Sequence, residues 1–193
     1  MNKDLFKPVI TLTCIAVIMA LVLGFVHRLT DEPIALAKNQ QELDAIKLVT
    51  GEFDNDPFAE KMTITTPNKK QKFIMYPARI DGRLNAVAVK SYTNTGFGGR
   101  IDVMTGFNVD GSINTFKIIS SHETPGLGSK TDEPRFKGQL EGFHPNKQIL
   151  KVKQDGGDVD AVTAATISSR AVLRAIERAY SALQNFNTRD NNE

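Results

Sequence analysis

The sequence has few of the residues on which several common kinds of site depend. Its 193 residues include one cysteine, three histidines and no tryptophan. A single cysteine excludes an intramolecular disulfide framework and a cysteine-rich zinc or iron–sulfur site, because each needs several thiols from one chain. His27, His122 and His144 are too scattered along the chain to predict a metal site from their spacing. We therefore expect no metal site, and any redox chemistry must use an imported cofactor.

The chain also lacks a strong net charge. Its 24 Lys and Arg residues nearly balance its 22 Asp and Glu residues, which leaves a formal net charge of +2. Such a chain has no bulk electrostatic attraction for a polyanion, so we expect no nucleic-acid partner. Its length leaves room for one ordinary globular domain and little more.

Apolar residues are concentrated near the N-terminus. Residues 8–26 read PVITLTCIAVIMALVLGFV, without a charged residue, and Lys7 and His27 flank this run. The run is long enough to cross roughly 30 Å of hydrocarbon as a helix. A cleaved signal peptide is the alternative, but its apolar core is usually shorter and ends in a small-x-small cleavage site, which is not evident here. We expect a retained transmembrane helix.

The charges around this run do not settle its orientation. Lys3 and Lys7 precede it, and Arg28 and Lys38 follow it, so the bias that the positive-inside rule uses is nearly even. Because a short N-terminus normally stays in the cytoplasm, we expect a single-pass protein of the cell (inner) membrane with its large domain on the extracytoplasmic side. The expected division is residues 1–29 for the short N-terminus and transmembrane helix, and residues 30–193 for the exported domain.

The exported part alternates between helical and β patterns. Residues 30–33, TDEP, offer an N-cap, an acidic first turn and an early proline, which predict a new helix running to about Val49. Residues 72–119 carry β-branched and alternating runs broken by Asp81-Gly82 and Asp110-Gly111, which are typical of tight hairpin turns. We therefore predict two hairpins.

A short strand and a last helix complete the predicted domain. The strand is expected near residues 148–153, and the helix carries an apolar face of residues at helical spacing, namely Val172, Leu173, Ile176, Tyr180 and Leu183. Antiparallel strands bracketed by helices indicate an α+β domain, with an antiparallel β-sheet flanked by helices, rather than a doubly wound parallel sheet.

Two glycine-rich segments do not complete nucleotide-binding motifs. In residues 126–131, GLGSKT, Ser129 occupies the position before the lysine at which a phosphate-binding loop requires glycine. Residues 96–99, GFGG, do not complete G-x-G-x-x-G and lie inside the predicted β region. We expect neither a P-loop nor a Rossmann site.

A third segment, residues 163–169 (TAATISS), places small residues and hydroxyls directly before the last helix. Free N–H groups and the helix dipole stabilise an anion at such a helix start. Arg170 and Arg174 follow in the first turns, where the dipole disfavours a cation, and a bound phosphate would remove that conflict. The alternative is an ordinary Ser/Thr cap with solvated arginines.

These segments carry a resemblance to a known family. Residues 160–169, DAVTAATISS, resemble the D-x-x-(S/T)-G/A-A-T-x-(S/T) signature of covalent FMN-binding domains. Residues 123–128, ETPGLG, and residues 96–101, GFGGRI, are similar to two further motifs of that family. One departure is Ala164, where the family usually has glycine.

The resemblance implies a cofactor and its site. In the family, the threonine matched by Thr166 carries FMN through a phosphoester bond, and a separate flavin transferase with Mg²⁺ makes that bond. Thr166 is then an attachment site, and no residue of this chain is expected to be catalytic. The remaining flavin-binding residues that the resemblance implies are Thr163, Ala164, Ala165, Ser168, Ser169, Glu123, Thr124, Gly126 and Leu127.

Over nearly the whole chain the resemblance is to the G subunits of Rnf-type ion-translocating electron transport complexes. It implies a membrane-anchored electron-transfer subunit, partnered by the other subunits, in a complex that couples ferredoxin:NAD electron transfer to Na⁺ or H⁺ translocation. As a redox subunit of that translocase, the chain is expected to have no independent turnover. The alternatives are the equivalent subunit of a sodium-translocating NADH:quinone reductase or another respiratory complex, and a non-redox membrane-anchored binding module.

Overall fold

A computed structural model describes residues 3–65 and 72–190 of the chain. The chain forms two compact units, which divide between Glu42 and Leu43. The predicted division after residue 29 refers to the membrane surface and stays a prediction.

The first unit is a single helix that continues into the second. Helix α1 spans Lys3–Thr50, and its large apolar side chains from Val9 to Leu36 are exposed, with Leu21 69% and Leu23 73% exposed. The helix is long and apolar enough to cross a membrane, and none of its most apolar 18-residue window is buried within the protein. Side chains of this kind are costly in water, so the helix has the properties of a transmembrane anchor.

The predicted helical run to about Val49 is confirmed, since α1 ends at Thr50, but the predicted helix start at Thr30 is wrong because α1 runs through this position without a break. The Thr30 hydroxyl donates to the carbonyl oxygens of Val26, at 3.0 Å, and of His27, at 3.1 Å, one turn earlier in the same helix. A threonine that bonds backward in this way does not act as an N-cap. Cap residues mark a helix start only where no helix already precedes them.

The second unit contains a five-stranded sheet in which neighbouring strands are antiparallel and follow in sequence order. Both predicted hairpins are confirmed. The strands are β1 (Met62–Thr65), β2 (Lys72–Ile80), β3 (Arg83–Gly96), β4 (Gly99–Asn108) and β5 (Ile113–Ser121). The β2–β3 turn has positive φ at Asp81 (50°) and Gly82 (73°), and the β4–β5 turn has positive φ at Gly111 (83°), as tight hairpin turns require.

Helices cover both faces of the sheet, which confirms the α+β expectation. Side chains alternate along each strand, so neighbouring residues of β3 enter different clusters. The larger cluster joins one face to helix α3 (Thr166–Asp190) and includes Val87, Val89, Phe107 and Ile176. The smaller cluster joins the other face to the last turns of α1 and consists of Ala45, Ile46, Val49, Tyr76, Ala88 and Met104.

An irregular connection between β5 and α3 contains a 3₁₀ turn at Gly128–Asp132 and the short helix α2 (Pro134–Lys137). The strand predicted near residues 148–153 is not formed, and Val152 makes only a single bridge to Val159. Gly157 donates to the Val152 carbonyl at 3.1 Å, which folds the chain back on itself. Leu150 and Val152 of this segment are part of the core without forming a strand, whereas Ile149 is 55% exposed.

Candidate functional site

A cavity of about 340 Å³ lies within the second unit at the start of α3. Three segments that are distant in the sequence border it: the β3–β4 turn, the loop after β5 and the first turn of α3. Its lining residues are Phe97, Glu123, Thr124, Leu127, Gly128, Ala164, Ala165, Thr166, Ile167 and Ser168. Most of these are apolar or small, and a few hydroxyls and one carboxylate complete the wall, which is typical of a small-molecule site.

A tight turn shapes the loop after β5. Leu127 donates its backbone N–H to the Thr124 carbonyl at 3.1 Å, with Pro125 and Gly126 between them. Proline sets φ for the first central position of a type II turn, and the positive φ of Gly126 (75°) suits the second. The turn leaves Leu127 44% exposed while it lines the cavity.

A second turn leads into α3. The N–H of Ala165 donates to the Val162 carbonyl at 3.0 Å, and Ala164 between them has a positive φ of 62°. Ser169 fastens this turn to the helix, because its buried hydroxyl accepts from the Val162 N–H and donates to the Ala165 carbonyl, both at 3.0 Å. Ser169 therefore holds the turn and does not line the cavity.

Thr166 is the first residue of α3 and lines the cavity next to this turn. Its side chain is half-buried. Among residues 3–65 and 72–190, its hydroxyl has no hydrogen-bond partner, in contrast to the hydroxyls of Ser168 and Ser169. The Thr166 hydroxyl is therefore available to a ligand.

Glu123 is the one ionisable residue in the cavity lining. It is 8% exposed, and both carboxylate oxygens accept hydrogen bonds. The Ser168 hydroxyl donates to one oxygen at 2.6 Å, and the Gly98 N–H donates to the other at 3.1 Å. This carboxylate therefore links the β3–β4 turn, its own loop and the first turn of α3.

Glycines make this arrangement possible. A Cβ on Gly96 would lie 2.5 Å from a carboxylate oxygen of Glu123, and a Cβ on Gly128 would overlap the other oxygen and the Ser168 hydroxyl. A Cβ on Gly98 would overlap the backbone of His122. The glycines of the two loop motifs thus provide room for one buried carboxylate.

The cavity brings together most of the sequence-predicted site residues. Those that line it are Glu123, Thr124, Leu127, Ala164, Ala165, Thr166 and Ser168. Gly126 forms the turn behind Leu127, and Thr163 lines a neighbouring cavity of about 380 Å³ with Lys130 and Arg135.

The cavity also has lining residues to which the sequence assigned no role: Phe97, Gly128 and Ile167. Phe97 is 71% exposed and Ile167 50% exposed. A large aromatic residue inside the glycine-rich GFGG segment was the available signal for Phe97, because exposed loop aromatics often contact ligands. Ile167 gave no comparable signal, since an apolar residue in the first turn of an amphipathic helix is ordinarily part of the core.

The expected conflict between Arg170 and the helix dipole is resolved within the protein. Arg170 donates to both carboxylate oxygens of Asp155, at 2.6 and 2.7 Å. This bidentate bond, with the positive charge behind it, lowers the pKa of Asp155 from its ordinary value. A bound phosphate is therefore not needed to balance Arg170.

Comparisons with known proteins place the chain in a family. A family model described as an FMN-binding domain matches residues 96–181, which include all three segments around the cavity. The G subunit of the ion-translocating oxidoreductase complex of Vibrio parahaemolyticus is 33% identical over 181 residues, covering 88% of this chain and 85% of that protein. The protein of the same name from Stutzerimonas stutzeri is 32% identical over 190 residues, covering 94% and 81%.

A solved structure of NqrC from Shewanella oneidensis aligns with a TM-score of 0.47 and 22% identity, over 66% of this chain and 69% of that one. The assignment rests on the sequence relatives alone. They and the apolar helix α1 define a membrane-anchored protein with an FMN-binding domain. The chain belongs to the family formed by the G subunits of ion-translocating oxidoreductase complexes.

Proposed function

We propose that this chain carries FMN, joined through its phosphate to the Thr166 hydroxyl, and relays electrons within an ion-translocating oxidoreductase complex. The observation that carries the proposal is the unpartnered Thr166 hydroxyl at the edge of a mainly apolar cavity. The family membership and the match of residues 96–181 to an FMN-binding domain support the choice of cofactor.

The lining residues fit such a group. Leu127, Phe97 and Ile167 offer partly exposed apolar surface for a flat ring system, and the glycines let the backbone approach closely. The volume of about 340 Å³ is at the lower end of the roughly 300–1,000 Å³ of small-molecule sites. A group as large as FMN would be only partly enclosed, which suits electron exchange with a partner.

Attachment needs an enzyme other than this chain. A threonine hydroxyl is a weak nucleophile, and in the described residues nothing next to Thr166 deprotonates it. A flavin transferase with Mg²⁺ would supply that activation. With FAD as donor, a bond forms between Thr166 Oγ1 and the flavin-side phosphorus, the pyrophosphate bond breaks, AMP leaves, and the hydroxyl proton passes to the transferase.

The flavin, when bound, supplies the redox chemistry by accepting and releasing electrons. The chain's own residues hold it at the membrane surface, keep one part against the apolar wall and leave another part accessible. In the complex this relay would contribute to coupling electron flow between ferredoxin and NAD to Na⁺ or H⁺ translocation, so the subunit has no separate turnover.

The test is co-expression of the full chain with a flavin transferase, followed by intact mass and in-gel flavin fluorescence. We expect the wild-type chain to gain a mass equal to FMN less one water, and the Thr166→Ala variant to gain none. Ser181→Ala is the matched control, because it removes an exposed hydroxyl from the same helix away from the cavity. A Thr166→Ala variant that keeps the added mass would disprove the attachment site.

We further propose that the second unit lies on the extracytoplasmic side of the cell membrane. A single cysteine at exposed Thr63, in a Cys14→Ser background, tests this with a membrane-impermeant thiol reagent on intact spheroplasts. We expect Thr63→Cys to be labelled and Asp4→Cys, before the apolar run, to be protected. The reverse pattern would place the domain in the cytoplasm.

A further inference from the structure

Glu123 is a buried carboxylate at the cavity wall, and among the described residues no cation lines that cavity. It forms no ion pair in the described parts of the chain, although basic residues elsewhere, such as Arg170 and Lys117, pair with carboxylates. Its two hydrogen bonds come from a neutral hydroxyl and a neutral backbone N–H. An ionised carboxylate only accepts hydrogen bonds, and both of its oxygens meet donors here.

Nothing else in the cavity lining balances this charge. The other lining residues are apolar or carry neutral hydroxyls. Burial removes most of the water that would screen the carboxylate, so its field acts across the cavity more strongly than the field of a surface charge does. The start of α3 contributes only the partial positive charge of a helix N-terminus. The Ser168 side-chain hydroxyl, which donates to Glu123 at 2.6 Å, is neutral.

We propose that Glu123 sets the redox potential of this site by holding a negative charge, without a cation partner, against the cofactor cavity. The inference rests on the proposed function, because it concerns the group attached at Thr166. A negative charge at the wall opposes the arrival of electrons in a group held there and thereby lowers its midpoint potential. The same carboxylate fixes the cavity wall through Gly98 and Ser168, so charge and position are held by one side chain.

The experiment compares the full chain with Glu123→Gln, Glu123→Asp and Glu133→Gln, each co-expressed with the flavin transferase. Spectroelectrochemical titration gives the midpoint potential of the covalent flavin at low and high salt. Glu123→Gln removes the charge and keeps the size, whereas Glu123→Asp keeps the charge. Glu133→Gln removes an exposed carboxylate that lines the neighbouring cavity and is the matched charge control.

We expect Glu123→Gln to raise the potential at both salt concentrations. A unit charge at the cavity wall changes the equilibrium constant of reduction by about tenfold or more, and tenfold corresponds to about 30 mV for two electrons. Glu123→Asp should stay near the unmodified protein. Glu133→Gln should cause a smaller shift that high salt removes, because mobile ions screen an exposed charge.

Two results would overturn the inference. One is a Glu123→Gln variant whose flavin has the same midpoint potential as that of the wild-type protein. The other is a Glu123→Gln variant that acquires no flavin while Glu123→Asp does, since the carboxylate would then serve assembly of the site. If the unmodified chain acquires no flavin with an active transferase, the proposed function itself has failed.

Discussion

Replacing Ala164 with glycine tests whether the turn before Thr166 is under backbone strain. Ala164 has a φ of 62°, and its side chain is exposed, so the substitution relieves the backbone without removing a packed methyl group. The left-handed conformation costs an alanine roughly 1–2 kcal/mol. Glycine removes this cost, but it also gives the unfolded chain more conformational freedom, which lowers the free energy of unfolding by about 0.4–1 kcal/mol.

The net expectation is therefore a gain of about 0.5–1 kcal/mol in the free energy of unfolding. In a domain of this size, 1 kcal/mol raises the melting temperature by about 2–4 °C. Scanning calorimetry of the full chain in detergent would measure the shift for the folded second unit. We also expect Ala164→Gly to be flavinylated at least as fully as the unmodified chain, because the family usually has glycine at this position.

Ala171→Gly is the matched control. Ala171 is fully buried inside α3, where the same substitution loses helix propensity and packing, about 1 kcal/mol or more. The two changes should therefore move the melting temperature in opposite directions. If Ala164→Gly lowers it, the reasoning from φ is refuted, and the turn is stabilised by something other than relief of the alanine backbone.

Two further predictions concern buried and half-buried polar groups. Within the part of the chain that the structure describes, the buried Thr105 hydroxyl has no hydrogen-bond partner, so Thr105→Val should stabilise the protein by about 1 kcal/mol. Ser91→Ala, which removes a hydroxyl bonded to α3, should destabilise it. Calorimetry measures both changes, and a Thr105→Val variant that melts at a lower temperature would contradict the reasoning. Burial raises the pKa of Asp132, but hydrogen bonds from Lys117 and Lys137 outweigh it and leave that pKa below its ordinary 3.8. Stability from this group is present above that value and lost as the pH falls further, so Asp132→Asn should melt earlier than the unmodified chain at neutral pH, and the difference should close on acidification. A difference that persists at acid pH would disprove the assignment to ionisation.

Local sequence patterns predicted much of the fold. The uncharged run of residues 8–26 predicted the long exposed helix, and the Asp-Gly pairs at 81–82 and 110–111 predicted both hairpins, because positive φ is a local requirement of the turn. The same reasoning failed at Thr30, where cap residues lie inside a continuing helix. It also failed near residues 148–153, where burial in the core replaced strand pairing.

For the site as well, the sequence indicated part of the outcome and the tertiary structure was needed for the rest. The resemblance of the motifs around Glu123 and Thr166 to those of FMN-binding domains pointed to most of the residues that line the cavity. Their mutual distances were not predictable. The bond between Ser168 and Glu123 joins residues 45 positions apart, and the salt bridge from Asp155 to Arg170 removed a conflict that had suggested a bound phosphate.

The sequence by itself determined the membrane anchor, the antiparallel hairpins and the hydroxyl offered at the start of α3. These follow from hydrophobicity, turn geometry and residue type, which act over a few neighbouring residues. Only the tertiary structure decided that Phe97 borders the same cavity as Thr166 and that Glu123, which forms no ion pair within the described residues, lines that cavity. Such features depend on how the sheet and α3 bring distant segments together. Burial then strengthens the electrostatic field of a carboxylate such as that of Glu123, and the sequence does not show which side chains are buried.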